Sequence, residues 1–400
     1  MTANAGYHAY ATGDVLTAAQ VQYNLQNQTV MYFATTTARD AALTGAILVE
    51  GMVSYTPATG VMYYNGTAWT AVGSTIPTSY GFTAGKNVII NGDFRVWQRG
   101  TSFTNPASLA YTTDRFNVYW DGTGATRTIS QQTFTPGTAP VAGYEGAYFY
   151  RYAQSVAGSS NTVNLLIQPI EDVRVFAGQS AVLSFWAKAD ASRSITAAVN
   201  QNFGSGGSGA VSTTMTGTAS VTTSWQRFTF TVAVPSISGK TIGTSSSLDL
   251  RISLPSGVTQ TIDIWGVQLE AGSVATAFQT ATGTIQGELA ACQRYYYQAI
   301  SSEGGNLSMG FMYSASQLQF TLTYPVTMRT LPTVVQVTGT DYWQFNRNGG
   351  QDLFNSWTLA SATSTAVSLY NNTEISGTAG NAGGIASNNA ATRLGFSAEL

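Results

Sequence analysis

The sequence predicts a mainly β protein, with short N-terminal helices and a hairpin, a central antiparallel β-sandwich or jelly roll, and a C-terminal β-domain. Three observations carry this. Short segments alternate apolar and polar side chains along most of the chain, the period of strands with one buried face. Gly, Ser and Pro punctuate them, glycine alone supplying 41 of the 400 residues. Helical periodicity is confined to a few short stretches. A chain of this length exceeds one ordinary core, and it divides into residues 1–80, 86–282 and 283–400.

In residues 1–80, Asp14 is placed to cap a helix, "DVLTAAQVQYNLQNQ", whose Val15, Ala18, Ala19, Tyr23 and Leu25 form an imperfect apolar stripe. Thr37 is placed to cap a second, "ARDAAL". Two strand-like runs then surround the turn "TPATG", with a further turn at "YNGTAW". So small a unit has little core of its own, so it is expected to pack against copies of itself or another protein. The stretch "GSTIPTSYGFTAGK" reads as a linker.

In residues 86–282 the alternation assigns faces. "AVLSFWAKAD" sends Leu183, Phe185 and Ala187 to one side and Ser184, Trp186 and Lys188 to the other. "WQRFTFTVAV" gives Phe228, Phe230, Val232 and Val234 to the core. "LDLRISL" gives Leu248, Leu250, Ile252 and Leu254, leaving Asp249, Arg251 and Ser253 opposite. Such strands imply two sheets packed face to face. "FGSGGSGA" lacks the Lys-Ser/Thr pair and the following helix of a phosphate-binding loop, and reads as a hairpin tip.

Residues 283–400 open with "ELAACQRYYYQAI", where Leu289, Cys292 and Tyr296 recur at helical spacing. Strands follow, with Pro325 and Pro332 marking edges or strand ends. The Gly- and Asn-rich tail finishes in an apolar, strand-like segment.

Charge narrows the function. Only 9% of residues are charged and the net charge is -2, so clustered cations for nucleic acid or anionic lipid are lacking. No apolar run approaches the roughly 20 residues that span a bilayer, and the first residues lack the layout of a secretory signal. Neither a nucleic-acid partner, membrane insertion nor Sec export is expected. The single cysteine, Cys292, excludes an intramolecular disulfide, and the single histidine, His8, leaves Cys292 without an obvious base. No enzyme activity, cofactor or metal is expected, His-based metal sites and Ser-His-Asp triads being ruled out by the same scarcity.

"NVIINGDFRVWQRGTSF", "YTTDRFNVYW", "GELAACQRYYYQAI" and "TYPVTMRTLPTV" resemble a set of motifs in bacteriophage tail fibre and receptor-binding proteins. "EGMVSYTPATGVMYYNGTAW" is similar to a segment of phage fibre N-terminal regions. The middle section also resembles carbohydrate-binding β-sandwich modules, through "NGDFR", "LSFWAKA", "SWQRFTFT" and "IDIWGVQLE". The resemblance implies a virion tail protein assembled in the host cytoplasm, a homotrimer joined to other tail proteins through residues 1–80, and recognition of host polysaccharide or lipopolysaccharide. Such modules often hold a structural calcium; Asp263 matches its closing acid, while Arg95 replaces the opening acid.

Sugar recognition stacks an aromatic ring under a pyranose and rings it with amides, carboxylates and Arg. Trp186 with Lys188 supplies the ring, and Asn200, Asn202, Asp249 and Arg251 the polar groups. The competing reading packs Trp186 under a loop and leaves the others as solvated surface. Trp97 and Trp225 read as core or sheet-edge packing. Two further functions are open: a purely structural tail or decoration protein, and a depolymerase, which needs two acids about 5 to 9.5 Å apart.

Overall fold

The computed structural model describes residues 30–44, 48, 50–72, 85–141, 144–347 and 350–400. The stripe expected at 14–28, His8, and most of the expected linker lie outside them. The chain forms two compact units, Met1–Gly81 and Phe82–Leu400.

In the first unit, strands Met31–Tyr32, Val53–Thr56, Gly60–Tyr64 and Trp69–Ala71 lie in that order in one sheet, the first pair parallel and the rest antiparallel. Helix α1, Thr36–Ala42, is capped by Thr35, whose side chain accepts from Ala38 N. Thr37, expected as the cap, therefore lies inside the helix, two residues past Thr35. Thr35 has the extended backbone of a cap and offers its hydroxyl three residues on.

The second unit is built around two large cores and a smaller aromatic cluster of Phe134, Phe149, Trp186, Trp265 and Phe278. Its larger core lies between two sheets whose strand pairs are antiparallel, the expected sandwich. The first sheet runs Gln226–Ala233, Ser180–Ala189, Gln260–Ala271, Tyr148–Val156, Thr126–Thr133, Ser102–Thr104. The second runs Val211–Thr214, Arg193–Asn202, Ser247–Leu254, Asn164–Glu171, Asn117–Trp120. Leu183, Phe185 and Phe230 of the first meet Ile195, Val199, Leu250 and Ile252 of the second, all buried. Period-2 alternation places them, since every second side chain on each strand must leave water together. "FGSGGSGA" falls between the paired strands Arg193–Asn202 and Val211–Thr214, as a hairpin tip.

The second core belongs to a three-stranded sheet (Tyr296–Ile300, Arg393–Ser397, Thr333–Val337) and a seven-stranded one. Trp343, Phe345, Phe354 and Trp357 fill it with Phe320 and Phe396. Helix α2, Ile285–Gln293, leads into it; Thr284 caps the helix by accepting from Gly287 N. Its buried residues are Glu288 and Cys292, while Leu289 is exposed and Tyr296 opens a strand. The face expected from Leu289, Cys292 and Tyr296 is thus corrected: the helix stops at Gln293 because pairing with Arg393–Ser397 draws the next residues into a sheet.

The tyrosines that follow α2 bridge the two cores. The Arg115 guanidinium lies 3.4 Å from the Tyr295 ring centroid and the Arg99 guanidinium 3.6 Å from that of Tyr296. Tyr295 Oη donates to Glu171 at 2.8 Å, and Arg294 Nη2 pairs with the same carboxylate at 2.8 Å. Glu399 accepts from both Arg99 and Arg115. Tyrosine suits such a boundary, offering ring area with a polar tip.

Candidate functional site

The residues proposed from sequence fall on opposite outer faces of the sandwich. Trp186 and Lys188 belong to the first sheet, Asn200, Asn202, Asp249 and Arg251 to the second.

Trp186 does point away from the core, yet it is only 8% exposed. Its ring packs 5.3 Å from Trp265 and 6.3 Å from Phe278, and the Arg227 guanidinium lies over it at 4.6 Å. Gly266, at φ +67°, leaves the room: a Cβ there would come within 2.8 Å of the ring. Arg227 is tied to Ser184 Oγ at 3.0 Å and to the Thr276 carbonyl. The expectation of an exposed sugar platform is therefore corrected, because chain after the Gln260–Ala271 strand covers this face. Lys188 stands over Trp225 at 5.4 Å and lies 3.6 Å from Asp263, engaged in holding the sheet surface together. Trp225 is half-buried among Phe134 and Phe149, as its reading as packing implies.

On the second sheet the register brings three of the four polar candidates together. Asn200 pairs with Asp249 and Ala198 with Arg251 across adjacent strands. Asp249 accepts from Asn200 Nδ2 at 3.0 Å, Ser247 Oγ at 2.6 Å and Arg251 Nη2 at 3.4 Å. These bonds fix a guanidinium whose side chain is 32% exposed and whose Nε is without a hydrogen-bond partner. Asn202 stays apart, its Oδ1 accepting from Gly204 N to close the local turn.

The same face carries a residue the sequence reading missed. Tyr119 is exposed and registers with Leu165, which registers in turn with Ser253, next on its face after Arg251. Alternation in "DRFNVYW" held the signal, since Val118 enters the core and so sends Tyr119 outward. The face thus presents the exposed Tyr119 ring, the half-buried Leu165 and the part-exposed Arg251, while Ile167 is buried there, as are Asn200 and Asp249, expected as sugar-bonding groups or solvated surface. Such a surface can stack on a C–H face and bond hydroxyls.

Two further acids, Asp93 and Glu288, share a small cavity, of about 70 Å³, with Arg95, Tyr144, Thr280 and Thr284. Burial raises the Asp93 carboxyl above its usual range, although Arg95 pairs with it at 3.1 Å. Glu288 accepts from Asn91 N, Thr282 N and Thr282 Oγ1. Space of this order holds about two waters, each filling about 30 Å³ of the liquid, and no pyranose. Cys292 is fully buried, and desolvation, with Asp114 and Glu288 nearby, pushes its thiol well above the ordinary range, so it stays protonated.

The calcium implied by the sequence resemblance does not fit these residues. Asp263 accepts from Arg151 through both oxygens, at 2.7 and 2.8 Å, with Lys188 alongside. Arg95 puts a guanidinium against Asp93. Among the described residues no three His, Cys, Asp or Glu side chains converge as a metal site.

No protein-family model matches the chain, and no curated protein matches it. Among solved structures it is similar to the tailspike protein 4 enzymatically active domain of bacteriophage CBA120, with 14% identity and a TM-score of 0.29 over 47% of this chain. The chain covers only 22% of that tailspike domain. It is also similar to a xylan-binding CBM22-1 domain from Paenibacillus barcinonensis, at 12% identity and TM-score 0.29, over 49% of this chain and 100% of that one. TmCBM61 in complex with β-1,4-galactotriose gives 14% identity and TM-score 0.27, over 46% and 99% of the two chains. Similarity at this level assigns neither a shared activity nor a shared binding face.

Proposed function

We propose that this chain is a bacteriophage tail fibre subunit that binds neutral host-surface glycan through the second-sheet face around Tyr119 and Arg251. In this reading it is a homotrimer in the virion tail, assembled in the host cytoplasm, with residues 1–80 joined to other tail proteins. It carries no catalytic activity of its own. The fibre motifs in the sequence support the setting. The observation that carries the binding reading is the Arg251 guanidinium: held by Asp249, its side chain 32% exposed, it lies on the same outer face as the exposed Tyr119.

The test is a glycan array with the full-length chain, followed by titration of any hit with Arg251→Ala and Tyr119→Ala. Each substitution is expected to weaken binding by about 1 to 3 kcal/mol, the scale of losing a stacked ring or a charged hydrogen bond, with melting temperature little changed. Unaltered affinity in both variants would move the site elsewhere. The absence of any glycan ligand would favour the purely structural role, and release of reducing sugar ends would establish a depolymerase.

A further inference from the structure

Three neighbouring strands of the seven-stranded sheet, Trp343–Arg347, Ala382–Ser387 and Asn306–Ser314, have one face in the core and one in water. Phe345, Ile385 and Met312 fill the inner face, each 1% exposed or less. Alternation sends their neighbours outward. Met309, Phe311 and Tyr313 form a row along Asn306–Ser314, exposed by 68%, 43% and 64%. Gln344 and the exposed Asn346 form a second row, on Trp343–Arg347. The strand between the rows presents no side chain larger than a methyl group to them. Gly384 registers with Met309 on one side and Asn346 on the other, and Ala382 registers with Phe311. A Cβ at Gly384 would meet nothing within 4 Å. The outer face is thus a trough floored by Ala382 and Gly384, with an apolar, ring-bearing rim and an amide rim two strand spacings, about 10 Å, apart.

We propose that this trough is a second saccharide-binding site, which takes a single strand of neutral polysaccharide lying along Ala382–Ser387. The two rims set different conditions on an occupant. Met309, Phe311 and Tyr313 offer apolar area, whereas Asn346, whose amide nothing among the described residues engages, needs a hydrogen-bonding partner once water leaves. A sugar ring meets both conditions, laying C–H groups on the ring-bearing rim and turning hydroxyls to the amides. Gln344 is held ready for this by Gln351 Nε2, which donates to its Oε1 at 2.8 Å. An extended peptide cannot add to the floor, because Ala382–Ser387 is already paired on both edges. A helix, about 10 to 12 Å across with its side chains, is too wide to enter between the rims. Rims and floor carry no Lys, Arg, Asp or Glu, so an anionic chain finds no counter-charge. The site rests on the reading of the chain as a glycan binder, and adds to it a separate face in the C-terminal β-domain.

The experiment is affinity electrophoresis of the full-length chain through gels holding soluble β-glucan, xylan, galactan or mannan, with alginate as the anionic control. Four chains are compared: the parent, Tyr119→Ala/Arg251→Ala, and that double variant with either Gly384→Leu or Asn346→Ala added. The double variant is expected to keep part of the parent's retardation in a neutral gel. Gly384→Leu, which fills the floor without reaching the core, should weaken that remaining binding about tenfold or more, and so should Asn346→Ala. Asn346→Ala, at an exposed position, carries the test if Gly384→Leu lowers the melting temperature. Total loss of binding in the double variant, or remaining binding indifferent to both trough substitutions, would overturn the second site and leave the Tyr119–Arg251 face standing. Parent-like binding in the double variant that Gly384→Leu removes would instead overturn the earlier reading and uphold this one. A parent retarded by none of the neutral gels, or by alginate alone, would overturn the trough as a neutral-saccharide site. So would a change of mass in Gly384→Leu by light scattering, which would mark the face as a contact between copies.

Discussion

Trp186 is held between Trp265 and the Arg227 guanidinium, so its replacement is a packing lesion. Trp186→Ala should destabilise the second unit by about 3 to 5 kcal/mol, the usual cost of emptying a buried aromatic site. Urea denaturation checks this, and a variant as stable as the parent would return Trp186 to the surface. Asp114 gives a pH dependence. Burial raises its carboxyl from 3.8 to about 6, against the pull of Arg99 and the hydrogen bonds from Gln98. Between pH 4 and 6 the folded chain therefore holds a proton that the unfolded chain has released. The contribution of this group to stability is greatest below pH 4 and is lost as pH rises through 6. Asp114→Asn should flatten that slope, measured as the difference in unfolding free energy between variant and parent across this window.

At the scale of elements, the sandwich is coupled to the C-terminal β-domain through charges that are themselves buried. Arg115 is 1% exposed, and Glu399 accepts from it and from Arg99. Arg115→Ala leaves Glu399 underpaired in an apolar setting and should cost about 3 to 5 kcal/mol. The double variant Arg115→Met/Glu399→Gln should cost less than Arg115→Ala alone, because the uncompensated charge has gone. Equal or greater loss in the double variant, by thermal unfolding, would show that shape and not charge dominates the joint. The element boundaries here were only partly legible. The cysteine-bearing helix could be read from spacing, but its end could not: the strand partner of Tyr296 lies near residue 397, a contact with no trace in local periodicity. Thr35, Thr36 and Thr37 are equivalent caps by residue type, and backbone conformation chose the first.

At the scale of the whole molecule, the second unit holds two large cores and a smaller aromatic one around Trp265. Calcium should play no part in this stability, since Asp263 is neutralised by Arg151. Millimolar Ca²⁺ or EDTA is expected to leave the melting temperature unchanged, and a shift of several degrees with either would place a cation where the guanidinium now sits. The sequence by itself determined the sandwich and its core, because period-2 alternation fixes which side of a strand each residue takes: Leu183, Phe185, Leu250 and Ile252 are inside as alternation requires. It also placed Asp249 and Arg251 on one outer face. Only the tertiary structure decided which outer face was open. Alternation cannot see what lies above a sheet, so Trp186 and Tyr119 look alike in sequence, while chain folded back from beyond the Gln260–Ala271 strand covers one and leaves the other in water.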